Sequence, residues 1–179
     1  MNDRTRPAVP TDIHREISLL EENLRRQLDA HRQLLECIQR NREAIGRADM
    51  QQIRSVCDQE NTVAQQLGEL EKARLVLVGR VTEHLEPDAG QPVSMSRIAE
   101  ALDEPAAGRF EALAAQLRAM IQEVRQASAV VRTAADALAR HMGGLLQTVH
   151  SALGRAKVYG RRGMLVTGEQ NQFCLDIKS

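Results

Sequence analysis

The segment CIQRNREAIGRADMQQIRSVC, Cys37 to Cys57, determines how this chain folds, because a helical pattern stops inside it and restarts within a few residues. Gly46 interrupts the pattern and is predicted to end a helix. Asp49 and Gln52 have the three-residue spacing of a capping box that begins the next helix. Two helices joined by so short a turn predict an antiparallel helical hairpin that reverses near residue 47.

Apolar residues on both sides of this turn recur three or four positions apart, which is the period of a helix with one buried face. In a hairpin that reverses near residue 47, the numbers of facing residues add up to about 94. Apolar pairs that meet this condition are Ile38 with Val56, Leu24 with Leu70, Ile17 with Leu77, and Ile13 with Val81. A chance register would not align so many layers. The sequence therefore predicts a hairpin over residues 11–85, with helices of about 35 residues and about 53 Å each.

A linker is predicted over residues 86–96, where Pro87, Gly90 and Pro92 disfavour regular structure. A short helix is expected to follow over residues 97–103. With the long helix described next, these segments complete a helical bundle over residues 11–157. Residues 1–10 are expected to be a disordered N-terminus.

The longest helical pattern begins at Pro105, a residue suited to the first turn of a helix, and continues to about residue 157. A helix of this length would be roughly 80 Å long, about half as long again as the hairpin. Its end, beyond about residue 141, would therefore extend past the hairpin or bend back onto it. Gly143 and Gly144 lie at this point and each disfavours helix by about 1 kcal/mol relative to alanine, which makes a weak joint plausible there.

The composition agrees with an all-α fold, a long antiparallel hairpin packed with a third long helix in an elongated bundle or coiled coil. Two Phe, one Tyr and no Trp leave few aromatic anchors for an ordinary globular core. Acidic and basic residues balance at 24 each, which gives no electrostatic field to attract nucleic acid or an anionic membrane surface. Without an apolar run long enough to span a bilayer or a secretory signal, the expected location is the cytoplasm, and membrane insertion is not expected.

A flexible C-terminal tail is predicted over residues 158–179, where glycines punctuate the sequence. Residues 164–167 and 172–177 alternate as short strands do, and they could pair with each other. An isolated two-stranded hairpin is marginal in water, so the tail is expected to be flexible unless it is bound.

Motifs for catalysis or metal binding are not found in the sequence. It contains no HExxH, no phosphate-binding glycine loop, no nucleophile elbow and no Glu-x-x-His pair. The histidines are scattered, and His31 is interpreted as a half-exposed polar break in the hairpin seam near Val63. The sequence thus predicts that the chain is not an enzyme and has no catalytic residue, no cofactor and no metal site.

Polar residues interrupt the seam of the second helix at Glu60 and Arg74, where apolar residues are expected. Two interpretations stand: they fix the register of the hairpin, or they bind a partner. Cys37 and Cys57 could face each other across the hairpin, as small seam residues or as a redox pair. The odd number of cysteines, with no CxxC, argues against a disulfide framework and a zinc site.

An apolar stripe marks the end of the third helix, at Met142, Leu145, Leu146, Val149 and Leu153. If the hairpin does not cover it, the stripe would bind an amphipathic helix of a partner protein. If the helix folds back at the glycines, the same residues are ordinary core. A third alternative is self-association, in which the stripe pairs with that of a second copy and the protein is a structural coiled-coil homodimer without a chaperone role.

Three segments resemble the FlgN family of flagellar export chaperones: DQENTVAQQLGELEKAR at Asp58–Arg74, HMGGLLQTVHSAL at His141–Leu153, and VYGRRG at Val158–Gly163. The order of the segments is that of the family, and the Tyr-Gly-x-x-Gly after the last helix is the most specific of them. Met142 departs from the family, which often has asparagine before the glycine.

This resemblance implies a cytoplasmic chaperone of the flagellar type III export pathway. Its partners would be the hook–filament junction (hook-associated) proteins, whose C-terminal helical region it would bind to prevent premature assembly, and the export gate, to which it would deliver them. The stripe at the end of the third helix would then be the client-binding surface. By the same resemblance, Tyr159, Gly160 and Gly163 would dock at the export gate; alternatively, the ring of Tyr159 packs on the helix end.

Overall fold

The computed structural model describes the backbone of residues 11–88 and 90–158 and the side chains of residues 13–88 and 90–153. Four helices follow one another: α1 Thr11–Gly46, α2 Met50–Leu85, α3 Met95–Glu100 and α4 Glu104–Val158. The all-α fold predicted from the sequence is confirmed, with α1 and α2 as the hairpin and α4 as the third long helix. The predicted disordered N-terminus, the strand pair and all but the first residue of the predicted tail lie outside the described residues.

The turn between α1 and α2 is closed by backbone hydrogen bonds that cap the end of α1. Asp49 N–H donates to the Ala44 carbonyl (3.0 Å), and Ala48 N–H donates to the Ile45 carbonyl (3.0 Å). This is the Schellman arrangement, whose left-handed position usually holds glycine. Here the left-handed residue is Ala48, with φ 52°. The prediction that Gly46 ends α1 is confirmed, but glycine does not occupy the left-handed position of the cap.

Side-chain caps begin the next two helices. The carboxylate of Asp49 accepts a hydrogen bond from Gln52 N–H (3.0 Å), which confirms Asp49 as the predicted start of α2. The reciprocal half of the capping box is not made, because Asp49 N–H donates to the Ala44 carbonyl. The hydroxyl of Ser94 accepts from Arg97 N–H (3.2 Å) in the same way. Because this cap lies before residue 95, α3 begins two residues earlier than the predicted 97–103 segment and also ends earlier.

The hairpin is antiparallel, and the numbers of the residues joined between its helices add up to 93 at one hydrogen bond and to 101 at another, against the predicted 94. Asn23, beside the predicted Leu24–Leu70 layer, donates through Nδ2 to the carbonyl of Leu70 (3.1 Å). Nearer the turn, Asn41 Nδ2 donates to Glu60 Oε1 (3.2 Å). Buried amides thus hold α1 against α2 at two separate levels.

The main hydrophobic core lies where the open end of the hairpin meets α3 and the first turns of α4. Phe110, Leu20 and Ile98 are fully buried there. The core contains Ile13, Ile17, Leu20, Leu24, Leu28, Val78, Val81, Val93, Ile98, Ala99, Leu102, Phe110 and Leu117. Thr82 joins the linker to this core, because its hydroxyl accepts from Val93 N–H (3.0 Å) and donates to the Val78 carbonyl (2.8 Å).

The chain divides into two units, of which the first ends at Ala135 and the second begins at Asp136. Within the first unit, α4 buries Phe110, Leu117 and Val124, which are seven residues apart. In the second unit, α4 continues as an unbroken helix through Gly143 and Gly144. The weak joint considered for these glycines does not break the helix.

Candidate functional site

The predicted client-binding residues lie together on one face of α4 in the second unit. We call Met142, Leu145, Leu146, Val149 and Leu153 the α4 stripe. Their exposed fractions are 44%, 50%, 61%, 54% and 59%, respectively. At 3.6 residues per turn the five side chains fall within roughly 100° of the helix circumference. Because these side chains are exposed, the α4 stripe is not part of a buried core of the described residues.

Two hydroxyl groups of this helix donate to backbone carbonyls of the same helix. The Thr148 hydroxyl donates to the Gly144 carbonyl (2.9 Å), and the Ser151 hydroxyl donates to the Thr148 carbonyl (2.9 Å). At Gly143 and Gly144, nothing lies within 4 Å of the position that a Cβ would occupy. Neither glycine is therefore required by a neighbouring element of the described residues.

A second candidate site, which the sequence did not reveal, is a groove of about 640 Å³ inside the first unit, which we call the hairpin groove. Its lining comes from all four helices, with apolar side chains at its centre and charged ones at its margin. These residues are Leu24, Gln27, His31, Leu67, Gly68, Glu71, Arg74, Met95, Ala114, Leu117, Arg118, Ile121, Val124 and Arg125. A groove of this size and lining is suited to binding another molecule.

An ion pair on α2 forms one margin of the hairpin groove. Arg74 donates to both carboxylate oxygens of Glu71, at 2.8 Å from Nε and 2.6 Å from Nη2. This hydrogen bonding is the main reason why the pKa of Glu71 lies below its ordinary value of 4.5, and it raises the pKa of Arg74. Arg74 thus lines the hairpin groove, whereas Glu60 is bonded to Asn41 of α1.

Two arginines of α4 form the opposite margin. Arg118 and Arg125 are exposed, and neither makes an ion pair with any carboxylate of the described residues. Arg118 donates only to the Ala114 carbonyl of its own helix (3.3 Å). The positive charges at this margin are therefore available to an acidic partner.

His31 also lines the hairpin groove. Its Nδ1 lies 2.7 Å from the Gln27 carbonyl, and because a carbonyl only accepts, this nitrogen carries the proton. The side chain is half-buried, as the sequence predicted.

The thiols of Cys37 and Cys57 are both free. The Sγ of Cys57 lies 3.7 Å from Asn41 Nδ2, and the Sγ of Cys37 lies 3.1 Å from Arg40 Nη2.

The residues predicted to dock at the export gate, Tyr159, Gly160 and Gly163, lie outside the described part of the chain. Within that part, no three His, Cys, Asp or Glu side chains are placed to hold a metal ion. Among the helices described, none is long and apolar enough to cross a bilayer.

A family model described as FlgN protein matches residues 16–167. The match covers most of the chain and includes both the hairpin groove and the α4 stripe. No curated protein and no solved structure matches the chain.

Proposed function

Because the chain belongs to the FlgN family of flagellar export chaperones, we propose that it binds the C-terminal helical region of the hook–filament junction proteins and delivers them to the export gate. Chaperones of this family bind flagellar hook-associated proteins, and the family is not one of enzymes. In this proposal the chain works in the cytoplasm, prevents premature assembly of its client and consumes no nucleotide.

The observation that carries the proposal is the exposed α4 stripe. An apolar ridge of five side chains on one helix face is the surface that an amphipathic partner helix covers, with its own apolar residues at three- and four-residue spacing. Burying about 600 Å² of apolar surface, at about 25 cal/mol per Å², would contribute about 15 kcal/mol before ordering costs. Those costs remove most of this energy, which leaves the moderate affinity that a carrier needs in order to release its cargo.

Charge placed in the α4 stripe tests this assignment. Val149→Asp puts a carboxylate at the centre of the proposed interface, where its desolvation is not compensated. We expect affinity for a peptide from the client's C-terminal helical region to fall at least about 100-fold, which corresponds to about 2.8 kcal/mol. Isothermal titration calorimetry measures the affinity, and circular dichroism checks that the helix content is retained.

The matched control is Gln147→Asp. Gln147 is exposed on the same helix, and two residues correspond to about 200° of rotation, so its side chain lies away from the α4 stripe. This variant adds the same charge and should bind the peptide as the wild type does. Equal peptide affinity of the wild type, Val149→Asp and Gln147→Asp would refute the α4 stripe as the client-binding surface.

Docking at the export gate is assigned to Tyr159, with Gly160 and Gly163, on the basis of the family resemblance of the VYGRRG segment. Tyrosine combines an apolar ring with a polar hydroxyl and suits a contact of this kind. Tyr159→Ala should reduce binding to purified export-gate protein while client affinity stays unchanged. Loss of client affinity instead would move Tyr159 from gate docking to client binding.

A further inference from the structure

We propose that the hairpin groove is a second protein-binding site, independent of the α4 stripe, and that its occupant is an acidic amphipathic helix of a partner protein. This goes beyond the client-binding role proposed for the α4 stripe, because the groove lies wholly within the first unit.

Gly68 is the first observation that points to an occupant. Glycine in a helix interior costs about 1 kcal/mol relative to alanine, and Gly68 lies in the middle of α2. Nothing among the described residues lies within 4 Å of the position of its missing Cβ, so no described element needs the space. Gly68 lines the hairpin groove, so a side chain at this position would take up part of the groove.

The centre of the groove is apolar on both walls. Leu67 and Ile121 face it with half-buried side chains, and Leu117 and Val124 are buried in its α4 wall. The lining residues of α4 extend from Ala114 to Arg125, which is about 16 Å or three helical turns. Three turns of a helix present one apolar ridge of this length.

The charges at the margin select an acidic occupant. Arg74 is neutralised by Glu71, but Arg118 and Arg125 have no carboxylate partner among the described residues. They are seven residues apart on α4, so their backbones are separated by about 10.5 Å along the helix axis. Acidic residues one heptad apart on a partner helix have the same separation and can pair with both arginines.

The positive charge of the margin argues against the end of α4 from a second copy as the occupant. Residues 136–158 contain one acidic residue, Asp136, and three basic ones, Arg140, Arg155 and Lys157. Such a helix would be repelled by the arginine margin.

Two synthetic helical peptides, each about three heptads long with the same leucine seam, test the proposal on the full chain carrying Val149→Asp, so that the seam does not bind the α4 stripe. One carries glutamates beside the seam and the other carries lysines. We expect the acidic peptide to bind about 10-fold more tightly in fluorescence anisotropy, with the difference shrinking as salt rises. Equal affinity of the two peptides would overturn the proposal.

A substitution that fills the groove tests the proposal more directly. Gly68→Leu should abolish binding of the acidic peptide while leaving the free energy of unfolding unchanged or higher, because leucine favours helix and meets no atom within 4 Å of its Cβ. Gly79→Leu is the matched control: Gly79 also lies in α2 with nothing near its Cβ position, but it does not line the groove. Binding by the Gly68 variant at wild-type affinity would overturn the proposal.

The role of the two arginines is tested with a control variant that removes the same number of positive charges outside the groove. Arg118→Ala with Arg125→Ala should remove the preference for the acidic peptide, whereas Arg109→Ala with Arg140→Ala, outside the groove, should keep it. The Val149→Asp background separates the two proposals, because its loss of client binding tests the α4 stripe. Failure of the acidic peptide to bind in this background would contradict an independent groove.

Discussion

Asn23 and Gln27 lie in the interior of the bundle with only 6% and 4% of their surfaces exposed. Gln27 Nε2 donates to Asn23 Oδ1 (3.1 Å), and Asn23 Nδ2 donates to the Leu70 carbonyl (3.1 Å), so the two amides form one chain of hydrogen bonds from α1 to α2. A shift of the hairpin by one turn would break the bond from Asn23 to the Leu70 carbonyl and leave the buried Asn23 amide with fewer partners. The sequence could not reveal this, because Asn and Gln at such positions look like ordinary exposed helix residues.

Removing this connection should destabilise the hairpin. Asn23→Ala leaves the Gln27 amide buried with fewer partners, which costs about 1–3 kcal/mol. Asn61→Ala, at an exposed position of α2, changes the same side chain and is expected to stay within about 0.5 kcal/mol of the wild type. Urea unfolding measures the free energy of unfolding of both variants. A similar loss of this free energy in the two variants would contradict a role of Asn23 in fixing the register.

The Glu71–Arg74 pair should make stability depend on pH in the acidic range. The folded-state pKa of Glu71 lies below its ordinary value of 4.5. The ionised carboxylate therefore contributes fully to the free energy of unfolding above pH 4.5, and this contribution is lost as the pH falls through the folded-state pKa. Arg74→Gln should return the pKa of Glu71 toward 4.5, as followed by NMR titration of the carboxyl carbon. The variant should also lose less stability than the wild type between about pH 5 and pH 3. An unchanged titration would mean that Arg74 does not hold this carboxylate.

At the scale of elements, the hairpin and the long third helix were predictable because both rest on local signals: apolar spacing, the Asp49–Gln52 cap and the Pro and Gly residues of the linker. The start of α3 was missed, since Ser94 caps it and serine in a Pro- and Gly-containing linker gives a weak signal. The hairpin groove was missed for a different reason. Gly68, Arg118 and Arg125 are on three separate turns of two helices, and only the packed structure brings them to one site.

The cap at the end of α1 offers a test of the turn. Ala48 has φ 52°, a left-handed conformation that costs an alanine about 1 kcal/mol and a glycine very little. Ala48→Gly should therefore raise the free energy of unfolding by up to about 1 kcal/mol, as measured by urea unfolding. Asp49→Ala should lower it by about 1 kcal/mol through loss of the bond to Gln52 N–H. Destabilisation by Ala48→Gly would show that the turn differs from the one described.

At the scale of the whole molecule, the two units carry two kinds of surface. The first has a complete hydrophobic core and the hairpin groove, and the second has the α4 stripe. The division of the chain into residues 1–10, 11–157 and 158–179 stays a prediction. The five residues of the α4 stripe are exposed, as expected of a surface that functions in binding.

Self-association is the rival account of the α4 stripe, and light scattering separates it from client binding. In the chaperone account, adding the client's C-terminal peptide shifts any dimer toward a one-to-one complex, because client and second copy compete for the same residues. Val149→Asp should abolish both the dimer and the complex. A stable dimer whose mass by light scattering does not change when the peptide is added would support a structural coiled-coil role.

The most direct test of the central claim is amide hydrogen exchange of the full chain with and without the C-terminal helical segment of a hook–filament junction protein. Exchange reports which backbone amides become protected when a partner covers them. The account predicts slower exchange on binding across residues 142–153, centred on Val149, with little change in α1. Tight binding of the segment with no change in exchange across residues 142–153 would contradict it.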